Sequence, residues 1–169
     1  HHAHEVLEMS LTLAGRIGVN TLIIFGVERA DSDTAADFDA VVNAIGETVD
    51  RAAARGFSVH LENMPGTWAD TSANTLALLD AVGRPELGAV WDSGNFYEAE
   101  ELPFAESYEL LRPYIRNVHL KDGRVVDGDT APVPAAGDAR VAVELGAGAD
   151  APRYVGRVIE GVDAGAATP

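Results

Sequence analysis

Cysteine is absent from this chain. No disulfide framework, thiolate metal site or cysteine nucleophile can therefore be built from it. Basic residues are scarce: 12 Lys+Arg stand against 27 Asp+Glu, a formal net charge of −15. Neutralising phosphates or docking on anionic lipid both need clustered Lys and Arg. The balance argues against nucleic-acid and membrane-surface partners. Long hydrophobic runs are missing as well: Thr21 to Phe25 is among the longest, far short of the ~20 residues of a membrane helix. The lack of cysteine fits a reducing compartment, so a cytoplasmic location is expected.

What is present is 169 residues, 47 % of them apolar, a size that suits one domain with a sizeable core. The chain opens His1-His2-Ala3-His4 with no initiator Met. The expectation is a start inside a longer natural chain, with a tag remnant as the alternative; the spacing of His1, His2 and His4 reads as a frayed terminus rather than a metal site.

Helical and strand patterns alternate along the sequence. Residues 4–17 read as a helix stopped by Gly18, where a positive φ is wanted. Thr21 to Val27 reads as a buried strand. Over 34–54 the residues Phe38, Val41, Val42, Ile45 and Val49 fall on one helical stripe. Strands are expected again over 57–62, 88–92 and 117–121, with helices over 71–82 and 104–115. Strand starts spaced by roughly thirty residues match the βαβ unit and imply a parallel sheet with helices packed outside. After Asp122 the rhythm breaks. Residues 123–138 read as a long loop, 140–145 as an extended stretch and 151–163 as a last helix.

Glu62, Asp92 and His119 each follow a β-rich run and precede a loop, at spacings of 30 and 27 residues. All three belong at the carboxyl edge of the sheet, where βα proteins bind ligands. Two carboxylates and an imidazole form a mixed O/N set suited to Mn, Mg, Co or Zn, and three protein ligands leave positions open for water or substrate. Taken singly, each residue reads equally well as a helix cap or a solvated loop residue.

Leu61-Glu62-Asn63, Trp91-Asp92-Ser93-Gly94-Asn95 and Val118-His119-Leu120-Lys121-Asp122, in that order, resemble the motif series of the xylose isomerase-like sugar phosphate isomerases/epimerases. Arg16-Ile17-Gly18-Val19 and Leu145-Gly146-Ala147-Gly148 resemble further family positions. The resemblance implies a partial (β/α)8 TIM barrel over 1–169, with its first strands upstream of His1 and its last strand after Pro169. It implies a divalent metal held by Glu62, Asp92 and His119, and proton transfer next to a carbonyl through an ene-diolate. Glu62 would be ligand and acid/base together. Lys121 would offset the developing charge, a salt bridge being its alternative. Asn63, Trp68 and Asn95 would contact a sugar or polyol, with Trp68 alternatively anchoring its own loop.

The family's fourth ligand is a glutamate on the last strand. Glu144 and Glu160 are the late glutamates here. Neither ends a strand pattern of the right kind, and the fourth ligand is read as absent. The implied activity is an isomerase or epimerase. The rivals are an inosose dehydratase-like lyase on the same site, and a catalytically incomplete chain that self-associates through open strand edges. Endonuclease IV-type DNA repair fits poorly: that branch has a histidine where Asn95 stands, and no histidine follows His119. His60, two residues before Glu62, reads as a satisfied interior histidine. Glu98, Glu100 and Glu101 read as a solvated loop.

Overall fold

The computed structural model describes residues 2–101 and 107–119 and, as strands, 123–126, 129–132, 139–146 and 153–160. The first part alternates as expected: α1 (His2–Arg16), β1 (Thr21–Phe25), α2 (Ala35–Ala53), β2 (Ser58–Glu62), α3 (Ser72–Val82) and β3 (Leu87–Asp92). Then follow a short α4 (Ser93–Glu98), a single turn α5 (Glu109–Leu111) and β4 (Ile115–His119). The four strands form a parallel sheet in chain order, β1-β2-β3-β4.

Local chemistry fixes the helix ends. At the start of α2 the Asp37 carboxylate reaches back and accepts from both the backbone amide and the hydroxyl of Thr34, satisfying a backbone donor of the helix entry. Thr71 accepts from the Asn74 amide to cap α3. Gly83 closes that helix at φ 58°, a left-handed conformation that costs glycine little.

The core lies between the sheet and its helices. Val41, Ile45, Val49 and Ala52 of α2 and Leu78, Leu79 and Val82 of α3 pack on Val59, Leu61, Ala89 and Trp91. Side chains alternate across a strand, so the intervening His60, Glu62, Val90 and Asp92 occupy the other face of β2 and β3. On β1 that face carries Ile23 and Phe25, since Phe25 pairs with Glu62. They are 39 % and 55 % exposed, so the sheet's β1 edge is apolar and open among the described residues.

Register in the last pair is irregular. Ala89 pairs with Ile115, but Val90 pairs with Asn117, leaving Arg116 as an extra residue in β4. Such a bulge shifts the phase of every later residue by one. Without it Asp92 would face Val118; with it Asp92 faces His119. Gly88 makes room for this bulge. A Cβ built there would lie 2.4 Å from Cγ and 3.0 Å from Cβ of Arg116. We expect Gly88→Ala to cost about 1–3 kcal/mol in a urea melt and to weaken Mn²⁺ binding through His119. Wild-type stability in that variant would refute the role given to Gly88.

The remainder departs from expectation in three places. Instead of a single loop, 123–138 contains the antiparallel strands β5 (Gly123–Val126) and β6 (Asp129–Pro132). The helix expected over 151–163 is instead β8 (Arg153–Glu160), paired along its length with β7 (Ala139–Gly146). Its Tyr, Val and Ile content favours a pleated surface. Of the expected helix 104–115, residues 107–111 are helical, ending in α5, while 112–114 form a turn and Ile115 opens β4; 102–106 lie outside the described residues. The four later strands form an antiparallel sheet, β6-β5-β7-β8. Glu144 and Glu160 both belong to it, opposite Val155 and Ala139.

Candidate metal centre

The strand register carries Glu62, Asp92 and His119 to adjacent strand ends. Glu62 is the last residue of β2, Asp92 of β3 and His119 of β4. His119 Nδ1 lies 3.0 Å from Glu62 Oε1 and 3.8 Å from Asp92 Oδ2. One ligand atom from each residue falls within 4.8 Å of the others. Both carboxylates are buried, whereas the imidazole side chain is 38 % exposed. The open side of the cluster is therefore the histidine side.

The donor set fits a divalent cation. Two carboxylate oxygens and one ring nitrogen suit Mn²⁺, Mg²⁺, Co²⁺ or Zn²⁺. Bringing two buried carboxylates together in a low-dielectric site calls for compensating positive charge, and a divalent ion would supply it. The capping alternative also holds for one member: Asp92 Oδ1 accepts from the Asn95 amide as the N-cap of α4, at 2.9 Å. Its other oxygen, Oδ2, faces His119.

Three expected substrate contacts are engaged in the fold. Asn63 is fully buried; its Nδ2 donates to the Asp92 carbonyl at 3.0 Å, and its Oδ1 accepts from the Asp92 amide at 2.8 Å. Asn95, 4 % exposed, donates from Nδ2 to the Asn63 carbonyl at 2.7 Å. These amide groups bond the strand ends to one another. Trp68 is 9 % exposed, 5.5 Å from the Phe38 ring, with the Arg29 guanidinium 4.6 Å above it. Its amide donates to the Val27 carbonyl, and Arg29 donates to Gly66. These are the contacts of an anchor joining the loops after β1 and β2.

Lys121, expected to be catalytic, lies outside the described residues. His60 is interior, as expected, but its Nδ1 has no hydrogen-bond partner among the described residues, unlike the satisfied histidine anticipated. Burial pushes its imidazole below the ordinary range, and nearby Arg116 adds to that. Of the acidic cluster, Glu101 accepts from the backbone amide and hydroxyl of Ser72, so it holds the start of α3 and is not merely solvated.

Solved structures with this fold are numerous. The probable 3-DHS dehydratase involved in petrobactin synthesis from Bacillus anthracis is 29 % identical, with a TM-score of 0.67 over 73 % of this chain. A xylose isomerase-like TIM barrel protein from Mycobacterium smegmatis, in complex with magnesium, is 21 % identical with a TM-score of 0.62 over 76 %. D-allulose 3-epimerase from Methylomonas sp. is 22 % identical with a TM-score of 0.61 over 75 %. The chain spans 45 %, 49 % and 47 % of those three proteins. A local likeness of a different kind also exists. The phenylalanine–tRNA ligase beta subunit of Xanthomonas campestris pv. campestris is 56 % identical over 41 residues, which is 24 % of this chain and 5 % of that subunit. So short a match shows neither family nor activity. The family model described as xylose isomerase-like TIM barrel matches residues 1–160; with the parallel sheet and the cluster at its carboxyl edge, this chain belongs to the xylose isomerase-like TIM barrel family.

Proposed function

We propose that this chain carries the metal site of a sugar or sugar-phosphate isomerase/epimerase. The observation that supports this most is the convergence of Glu62, Asp92 and His119 at the carboxyl ends of adjacent parallel strands. A divalent ion bound there would polarise carbonyl and hydroxyl oxygens of a sugar or polyol. Glu62, buried beside the imidazole, is the carboxylate proposed to take a proton from the carbon next to that carbonyl. Lys121 is proposed to offset the charge that develops.

A lyase reading, dehydratase-like, shares that first proton removal and differs in expelling water afterwards. The 29 % identity to the probable 3-DHS dehydratase favours keeping it as the second reading. The excess of acid residues favours a small-molecule substrate over nucleic acid, in the cytoplasm. Exposed Ile23 and Phe25 on edge strand β1 make self-association part of the proposal. The mass seen by light scattering should rise with concentration; a strict monomer throughout would remove that part.

The test is solvent exchange. The chain loaded with Mn²⁺ is incubated with a panel of ketoses, ketose phosphates and inososes in D₂O and followed by NMR. Deuterium appearing next to the carbonyl with an epimer or isomer supports the first reading. An unsaturated product formed with loss of water supports the second. No exchange with any member would overturn both.

A further inference from the structure

We infer that Asn63 and Asn95 are positioning residues that hold the Asp92 carboxylate for the metal, an inference that rests on the metal-centre reading above. The β2–β3 ladder stops at the pair Glu62 and Val90, two residues short of Asp92. Beyond it the primary amide of Asn63 stands in for the next peptide of β2. Like a peptide it offers an N–H and a carbonyl oxygen side by side, and these meet the backbone of Asp92, at 3.0 and 2.8 Å. The side chain therefore extends the ladder to the residue that bears the ligand.

The remaining bonds close a ring. Asn63 binds the Asp92 backbone; the Asp92 side chain accepts from the Asn95 backbone at 2.9 Å; the Asn95 side chain donates to the Asn63 backbone at 2.7 Å. All three residues are at least nine-tenths buried, so these bonds do not compete with bulk water and support one another. One consequence falls on the carboxylate. Oδ1 takes the cap bond, and Oδ2 lies toward His119 Nδ1, 3.8 Å away. Another falls on Glu62, which immediately precedes Asn63: the same amide that fixes Asp92 fixes the spacing between the two carboxylate-bearing strand ends. Partners that orient a ligand in this way are worth ~10–100-fold in metal affinity.

Calorimetric titration of Mn²⁺ into the whole chain, with a thermal melt of each apo protein, tests this. Wild type is compared with Asn63→Ala, Asn95→Ala and Thr75→Ala. Thr75 is a buried control on α3 whose hydroxyl donates to the Ala69 carbonyl. Asn63→Ala should raise the Mn²⁺ dissociation constant by ~10–100-fold and Asn95→Ala by about 10-fold. Thr75→Ala should lower the melting temperature and leave the constant unchanged. The Mn²⁺ EPR line pattern should change in the Asn63 variant, because the Asp92 carboxylate is no longer held in one orientation. If Asn63→Ala fails to fold, Asn95→Ala decides, since it removes the bond to the Asn63 carbonyl and leaves the Asn63 amide in place. Failure of wild type to bind Mn²⁺ overturns the metal reading itself. Wild-type binding retained in a folded Asn63 or Asn95 variant overturns the positioning role alone.

Discussion

Glu62→Ala is expected to abolish Mn²⁺ binding while leaving the apo chain as stable as wild type, or slightly more so. The two effects have opposite signs for one reason. Glu62 and Asp92 are buried carboxylates whose oxygens lie within 4.8 Å of one another, and like charges at that range disfavour each other. Without a cation, removing one relieves the repulsion and, among the described residues, forfeits the contact to His119. With a cation, the same removal takes away a direct ligand, and the loss in affinity should exceed the ~10–100-fold typical of an outer partner. A ligand present at a hundred times its dissociation constant stabilises a protein by ~2.7 kcal/mol. Wild type should therefore melt higher as Mn²⁺ is added, and the variant should show a flat response. Asp92→Ala separates the roles further. It also removes the N-cap of α4, worth about 1 kcal/mol, so its apo form should melt lower. An equal Mn²⁺-induced rise in wild type and Glu62→Ala would sink the assignment of Glu62 as a ligand.

The phase of the site was legible in the sequence, but its precision was not. Three polar residues closing three β-rich runs are a local pattern, and the strands bearing them appear as β2, β3 and β4. The bulge at Arg116 is not local. A spacing of 27 residues between Asp92 and His119 is compatible with either register, and what decides it is how β4 lies beside Gly88. Asn63 was hidden for a similar reason: its partners are 29 residues away, so an asparagine beside a ligand reads most simply as a substrate contact. The misread last helix has a different cause. Val155, Val158 and Ile159 satisfy a helical spacing as well as a strand's composition, and short apolar runs carry both signals at once. Pairing with β7, a tertiary fact, resolves the ambiguity.

Trp91→Ala should be the most damaging single change to the fold. Among the described residues Trp91 is the largest fully buried side chain, 1 % exposed, and it projects from β3 into the helical layer. Its Nε1 donates to Ser107 Oγ at 3.1 Å, and its ring meets Tyr108 edge-on at 5.7 Å. Truncating a buried aromatic to alanine costs about 3–5 kcal/mol, because the cavity collapses only in part. Total stability of a domain is typically ~5–15 kcal/mol. At ~2–4 °C per kcal/mol for a chain of this size, the melting temperature should fall by roughly 6–20 °C. Trp91→Phe keeps most of the apolar volume, and its loss should be nearer the ~1 kcal/mol of one hydrogen bond. Trp91 also adjoins Asp92 in sequence, which makes the variant informative about the site. The Asp92 side chain lies on the opposite face of β3 from the indole, and Asn63 and Asn95 hold that residue through bonds that do not involve Trp91. At a temperature where Trp91→Ala remains folded, its Mn²⁺ affinity should stay near that of wild type. A loss of affinity as large as that of Asn63→Ala would show that Asp92 is held by core packing and not by the two amides.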